Sequence, residues 1–132
     1  MLEQAARKLV PSPELLAFAR RQVSLACGET PDVERRQESR VRVALPAIVQ
    51  PLDDELNPQG DRFAAMMRDM TKDGLGLIVE SELAVGDMFA VQVVIRDQDT
   101  ACLLAKSIWC EPIGPFYLAG LQGVKALKSL PN

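Results

Sequence analysis

From Val41 onward, apolar residues recur with a period of two, and this constrains the fold more than any other feature of the chain. Val41, Val43, Leu45, Ala47 and Val49 alternate with Arg42, Ala44, Pro46, Ile48 and Gln50, the pattern of a strand with two different faces. Pro46 has no backbone donor, which predicts an edge or a bulge there. The polar run "LDDELNPQGD" (52–61) reads as a turn, after which Phe63, Ala65, Met67, Asp69 and Thr71 would form one face of a second strand. "KDG" turns the chain into "LGLIVES", and "LAVGD" turns it into "MFAVQVVI". "RDQDT" is a polar hairpin loop, and "ACLLAKSIWC" and "FYLAGLQGV" complete a set of six. Six short strands joined by turns rather than helices predict a mainly β fold, a six-stranded antiparallel sheet closing into a barrel.

The N-terminal part has a different period. Leu15, Phe18, Ala19, Val23 and Ala26 share one helical face, which predicts a helix over 13–26. Ser12 fits the N-cap, Pro13 the first helical position and Gly28 the C-terminal stop. Leu2, Ala5, Ala6 and Leu9 suggest a shorter helical piece over 2–9, and "GETPD" (28–32) is a linker. The tail "KALKSLPN" has room for at most a short helical turn.

Composition excludes several kinds of chemistry. The chain has 132 residues and no histidine, so histidine-dependent catalysis, histidine metal ligation and a histidine pH switch are ruled out. Its three cysteines lack the CxxC spacing of a zinc site. Cys102 and Cys110 fall on one strand, roughly 26 Å apart at strand rise, too far for a disulfide. Aromatic residues make up 5%, so the core must be aliphatic. Trp109, the only tryptophan, is expected to pack in that core in preference to stacking on a ligand. Met66, Met67 and Met70 read as core and rim filler. No apolar run approaches the ~20 residues that span a bilayer, and the N-terminus lacks the apolar stretch of a signal peptide. A soluble, cytoplasmic protein is the expectation.

Two polar motifs stand out against this background. "RRQESR" gathers Arg35, Arg36 and Arg40 just ahead of the first strand, in a chain whose net charge is -3. Each guanidinium is a planar fork of five donors that matches phosphate oxygens or the O6/N7 edge of guanine. Taken alone, the cluster also reads as a solvated linker, with Glu34 and Glu38 offsetting the arginines. The second motif is "RDMTKDGLGL" (68–77). Asp69 can accept from guanine N1–H and N2–H2, and Thr71 can donate and accept. Gly74 would supply a positive φ in the turn, and Gly76 would let another group approach the backbone. Alone, this motif also reads as a turn stabilised by Asp and Thr, with no ligand.

Together, RxxxR (Arg36 to Arg40) before the first strand and DxTxxG (Asp69 to Gly74) about thirty residues later resemble the PilZ domain, the bacterial receptor module for cyclic di-GMP. "RVRVALPAIV", "GLGLIV", "VGDMFAVQVVI", "AKSIWC" and "YLAGLQGV" fit the wider pattern. The resemblance implies a PilZ-type barrel over 34–126, with a helical extension and linker over 1–33 and a tail over 127–132. It implies that Arg36 and Arg40, assisted by Arg35, grip phosphates and guanines. It also implies that Asp69 and Thr71 contact a guanine and that Gly74 keeps the turn tight. Thr71 stands where serine is usual; it keeps the hydroxyl and adds a methyl. The ligand is then cyclic di-GMP, with no further cofactor, metal or enzymatic activity. A downstream protein partner or self-association would carry the output.

The alternative is a PilZ-fold adaptor that binds proteins and no nucleotide; such members commonly lack the arginines present here. A nucleic-acid-binding small barrel is disfavoured by the pI near 5.0 and the scarcity of aromatics. An enzyme is disfavoured because paired acids such as Asp53 and Asp54 fall in a polar turn. The helix is expected to dock on the barrel, a second copy or a partner.

Overall fold

A computed structural model of the chain describes residues 9–27, 41–96 and 99–131. The expected helical piece over 2–9 and the Gly28 stop therefore lie largely outside the described residues. Helix α1 (Pro13–Cys27) is followed by strands β1 (Val41–Leu52), β2 (Phe63–Met70), β3 (Gly74–Val79), β4 (Met88–Arg96), β5 (Asp99–Ile113) and β6 (Phe116–Leu127). Every neighbouring pair is antiparallel, and the order β1-β2-β3-β6-β5-β4 closes the barrel. Pro46 lies where β1 pairs with β2 but not yet with β4, whose pairing starts at Ala47. Its missing donor therefore breaks no ladder on the β4 side.

Alternation sends one face of each strand inward. Ala47, Val49, Ala65, Met67, Leu75, Leu77, Val79, Phe89, Val91, Val93, Ala105, Ala119 and Leu121 fill the interior, which is mostly aliphatic, with Phe63 and Tyr117 packed against it. The outer face is covered in two places. Leu15 and Ala19 of α1 are fully buried against Met66, Ile78 and Leu118, so the helix docks on the barrel of its own chain. Phe18 adds a tilted ring contact with Phe116, centroids 5.3 Å apart. Ser12 caps the helix as expected, its Oγ accepting from Leu15 N at 3.1 Å and donating to Glu80 at 3.0 Å. The methionines divide as expected, with Met66 and Met67 buried and Met70 exposed at the rim.

The second cover is the C-terminal tail, which forms no helical turn. β6 runs to Leu127, and Leu130 is buried with Leu52, Ala90, Cys102 and Leu104. Arg62 holds this tail, donating from Nη2 to Pro131 O at 2.8 Å and from Nε to Gln50 Oε1 at 3.0 Å. Cys102 and Cys110 both lie on β5 as free thiols. Burial pushes the Cys102 thiol above its ordinary value. Among the described residues, no helix is long and apolar enough to cross a membrane.

Candidate functional site

The site arises where strand alternation breaks. In the β2–β3 ladder Met67 pairs with Leu77, but the next pair is Asp69 with Gly76, so Arg68 is an extra residue in β2. Strict alternation would have sent Asp69 inward behind Ala65 and Met67, placing a carboxylate in an aliphatic interior at high cost. The bulge turns it to the outer face instead. The expected single face of Phe63, Ala65, Met67, Asp69 and Thr71 is therefore interrupted at Arg68.

A second slip occurs between β5 and β6. Ser107 pairs with Leu121 and Trp109 with Gly120, which leaves Ile108 as the extra residue. Trp109 is thereby turned outward, with 42% of its surface exposed, and lies over Gly120. The expectation that Trp109 packs in the core is corrected: the bulge reverses the parity of β5 just before it.

The two slips meet across the sheet. Asp69 pairs with Gly76, Gly76 with Gly120, and Gly120 with Trp109, giving one row across β2, β3, β6 and β5. The two glycines form a floor that side chains at both ends overhang. A Cβ on Gly76 would lie 2.9 Å from Asp69 Oδ1, and one on Gly120 would fall within the Trp109 indole. The cleft over this floor has a volume of about 140 Å³ and includes Arg68, Thr71 and Gly74 in its walls. Asp69 itself is 2% exposed. Arg68 directs both Nε and Nη2 to Asp69 Oδ2, each at 3.0 Å, a charge-assisted contact shielded from water.

Thr71 and Gly74 close the β2–β3 turn. Thr71 N donates to Gly74 O at 2.9 Å, while Thr71 Oγ1 accepts from Asp73 N at 3.3 Å and Gly74 N at 3.2 Å. With its oxygen engaged in this way, the hydroxyl retains its proton as a donor. Gly74 does not adopt the positive φ expected of it. It is needed for a different reason: a Cβ there would lie 2.5 Å from Leu121 O, so only glycine lets β3 approach β6 so closely. Gly76 does the work expected of it, admitting the Asp69 carboxylate against the backbone.

Arg35, Arg36 and Arg40 lie outside the described residues. The strand they lead into is described: Val41, the residue after Arg40, pairs with Met70, and Arg42 pairs with Asp69. β1 therefore starts beside the Asp-Thr-Gly turn. Arg68 and Trp109 are the cleft residues that strand periodicity does not identify. The available signals were an arginine next to an acid out of phase with the core, and a glycine on the closing strand facing an aromatic.

A family model for the PilZ domain matches residues 34–128. The chain belongs to the PilZ family. No curated protein matches its sequence. Among solved structures, the PilZ chain is similar to the Bacillus subtilis inhibitor of motility MotI/DgrA, with 13% identity and a TM-score of 0.55. That alignment covers 71% of this chain and 44% of MotI/DgrA, so the PilZ chain spans less than half the length of that protein. It is also matched to the PilZ domain of Escherichia coli YcgR solved with c-di-GMP, at 17% identity and a TM-score of 0.46, covering 71% and 79% of the two chains. The likeness to MotI/DgrA concerns the fold, and the six-stranded closed barrel agrees with it.

Proposed function

We propose that this PilZ domain is a cyclic di-GMP receptor whose ligand occupies the cleft between Asp69 and Trp109. The observation that carries this reading is the pairing of Val41 with Met70 and Arg42 with Asp69, which starts the strand that follows the RxxxR motif in sequence beside the DxTxxG turn. Cyclic di-GMP carries two guanines and two phosphates. At about 140 Å³ the cleft is well below the ~300–1,000 Å³ of a site that swallows a whole ligand. It suits one guanine, with Asp69 accepting from N1–H and N2–H2, Thr71 donating its hydroxyl proton, and the exposed indole of Trp109 offering a stacking face. The second guanine and the phosphates are left to the forked donors of Arg35, Arg36 and Arg40. Gly74 serves by holding β3 against β6.

Charge-assisted hydrogen bonds of this kind contribute ~1.5–3 kcal/mol each, and base stacking ~1–3 kcal/mol. A handful, offset by association costs, corresponds to roughly micromolar affinity. Engagement of Arg35, Arg36 and Arg40 by the ligand would convert binding into a changed surface for a partner protein or a second copy. Titration calorimetry tests the reading. Wild type is expected to bind with a Kd on the order of 1 μM, and Arg36→Ala, Arg40→Ala and Trp109→Ala to bind at least about tenfold more weakly. Absence of heat with wild type at ~100 μM ligand would sink the receptor reading and leave the protein-binding adaptor.

A further inference from the structure

The barrel is open at the end where β1 begins and β2 and β6 finish. A bowl of about 530 Å³ reaches into the interior there. Its floor is Met67, Leu75 and Val93, all buried, while Met70, Ile95 and Val124 stand exposed around its lip. The bowl exists because Ala101, Gly123 and Ala126 line it with a methyl group or nothing, so side chains do not fill this end as they fill the middle. It shares the turn at 71–75 with the cleft, but its floor belongs to the interior and the cleft lies on the outer face. The volume falls within the ~300–1,000 Å³ of small-molecule sites, for which barrel mouths are a favoured place.

Three charged side chains line the bowl: Lys72, Asp73 and Lys125. Gly123 N donates to Asp73 O at 2.8 Å, which sets the Lys72–Asp73 turn beside the part of β6 that carries Lys125. Among the described residues neither lysine makes an ion pair. Two ammonium groups against one carboxylate leave a single positive charge in excess at an apolar opening. A guanine nucleotide, polar on every edge, would leave those groups unpaired against this lining. An apolar chain with a singly charged anionic head suits it, since the chain displaces water from the floor and the head stays at the wet rim. We infer that the barrel mouth binds a single-chain amphiphilic anion, an alkyl carboxylate, with its chain against Met67, Leu75 and Val93 and its head between Lys72 and Lys125. This site is separate from the nucleotide cleft and does not depend on the receptor reading.

The test is methionine-methyl NMR of the full chain, without nucleotide, titrated with hexanoate, octanoate and decanoate below their micellar concentrations and with octylammonium as the cationic counterpart. Shifts are expected at Met67 and Met70, which line the bowl, and not at Met66, which is buried under α1 on the outer face. Each added methylene should tighten binding about fourfold until the bowl is full. Octanoate should bind roughly tenfold more tightly than octylammonium, and Lys72→Glu with Lys125→Glu should reverse that order. Ala126→Trp, at an exposed position lining the bowl, should abolish the response, with thermal unfolding as a check on folding. If the variants do not fold, the chain-length series and the comparison of head charges in wild type carry the test. Equal binding of octanoate and octylammonium overturns the inference, as do shifts spread evenly over all the methionines. No shift at Met67 and Met70 would mean that the mouth is already covered by the chain itself, and also overturns it. Shifts at these two that follow protein concentration without added ligand would seat a second copy in the mouth and overturn it too.

Discussion

Gly74→Ala tests the claim that close strand approach, and not turn conformation, requires the motif glycine. The added Cβ would lie 2.5 Å from Leu121 O. Carbon–oxygen contacts between strands ordinarily stop near 3.3 Å, so β3 and β6 must part by about 0.8 Å at this point. The turn is held to β6 there by Gly123 N donating to Asp73 O at 2.8 Å. Lengthened by that amount, this bond would reach about 3.6 Å, beyond which no hydrogen bond remains. Its loss costs about 1 kcal/mol, and overpacking adds about 2 kcal/mol. Loss of glycine's extra freedom in the unfolded chain offsets ~0.4–1 kcal/mol, because the φ here suits alanine. The expected net destabilisation is about 2 kcal/mol, a fall of roughly 1 M in the urea midpoint.

The control lies on the same seam. A Cβ on Gly123 would meet Asp73 O and Leu103 Cδ1 at 3.4 Å, a contact that needs little adjustment. Gly123→Ala should therefore stay within about 0.5 kcal/mol of wild type. If Gly74→Ala unfolds at the same urea concentration as Gly123→Ala, the crowding argument is wrong. If an αL-tolerant Gly74→Asn is markedly more stable than Gly74→Ala, the turn-conformation reading returns.

Two further outcomes follow from the interior. Ser107 is 1% exposed and its Oγ has no hydrogen-bond partner among the described residues, so Ser107→Ala should raise stability by about 1 kcal/mol in urea unfolding; a comparable loss would reveal a buried partner. In a Cys27→Ser background, iodoacetamide should modify half-buried Cys110 well before buried Cys102, whose thiol burial pushes up. Because the folded state holds the Cys102 proton more tightly than the unfolded state, this group's contribution is complete at neutral pH. It declines as alkaline pH passes the unfolded and then the folded value. Urea midpoints for wild type and Cys102→Ala should therefore converge on moving from neutral to alkaline solution.

The barrel was legible because its two faces meet different surroundings, so a period of two is enforced along every strand. The helix was legible because Ser12, Pro13 and the Leu15/Ala19 stripe agree with one another. A single-residue bulge leaves no such mark, since it shifts the phase of one strand against a partner that local pattern does not name. That is why strand periodicity alone points Trp109 into the core and puts Asp69 on the face of Met67. Still, both slips had a chemical cause written in the sequence. An acid cannot follow Ala65 and Met67 into an aliphatic interior, so β2 must change phase before Asp69. The glycines at 76 and 120 supply flat backbone on which the displaced side chains rest. The cleft is therefore a product of two opposed register shifts flanking a glycine pair. A strand set with uninterrupted alternation would keep the barrel and lose the site, with Trp109 drawn inward and no carboxylate against the glycine floor.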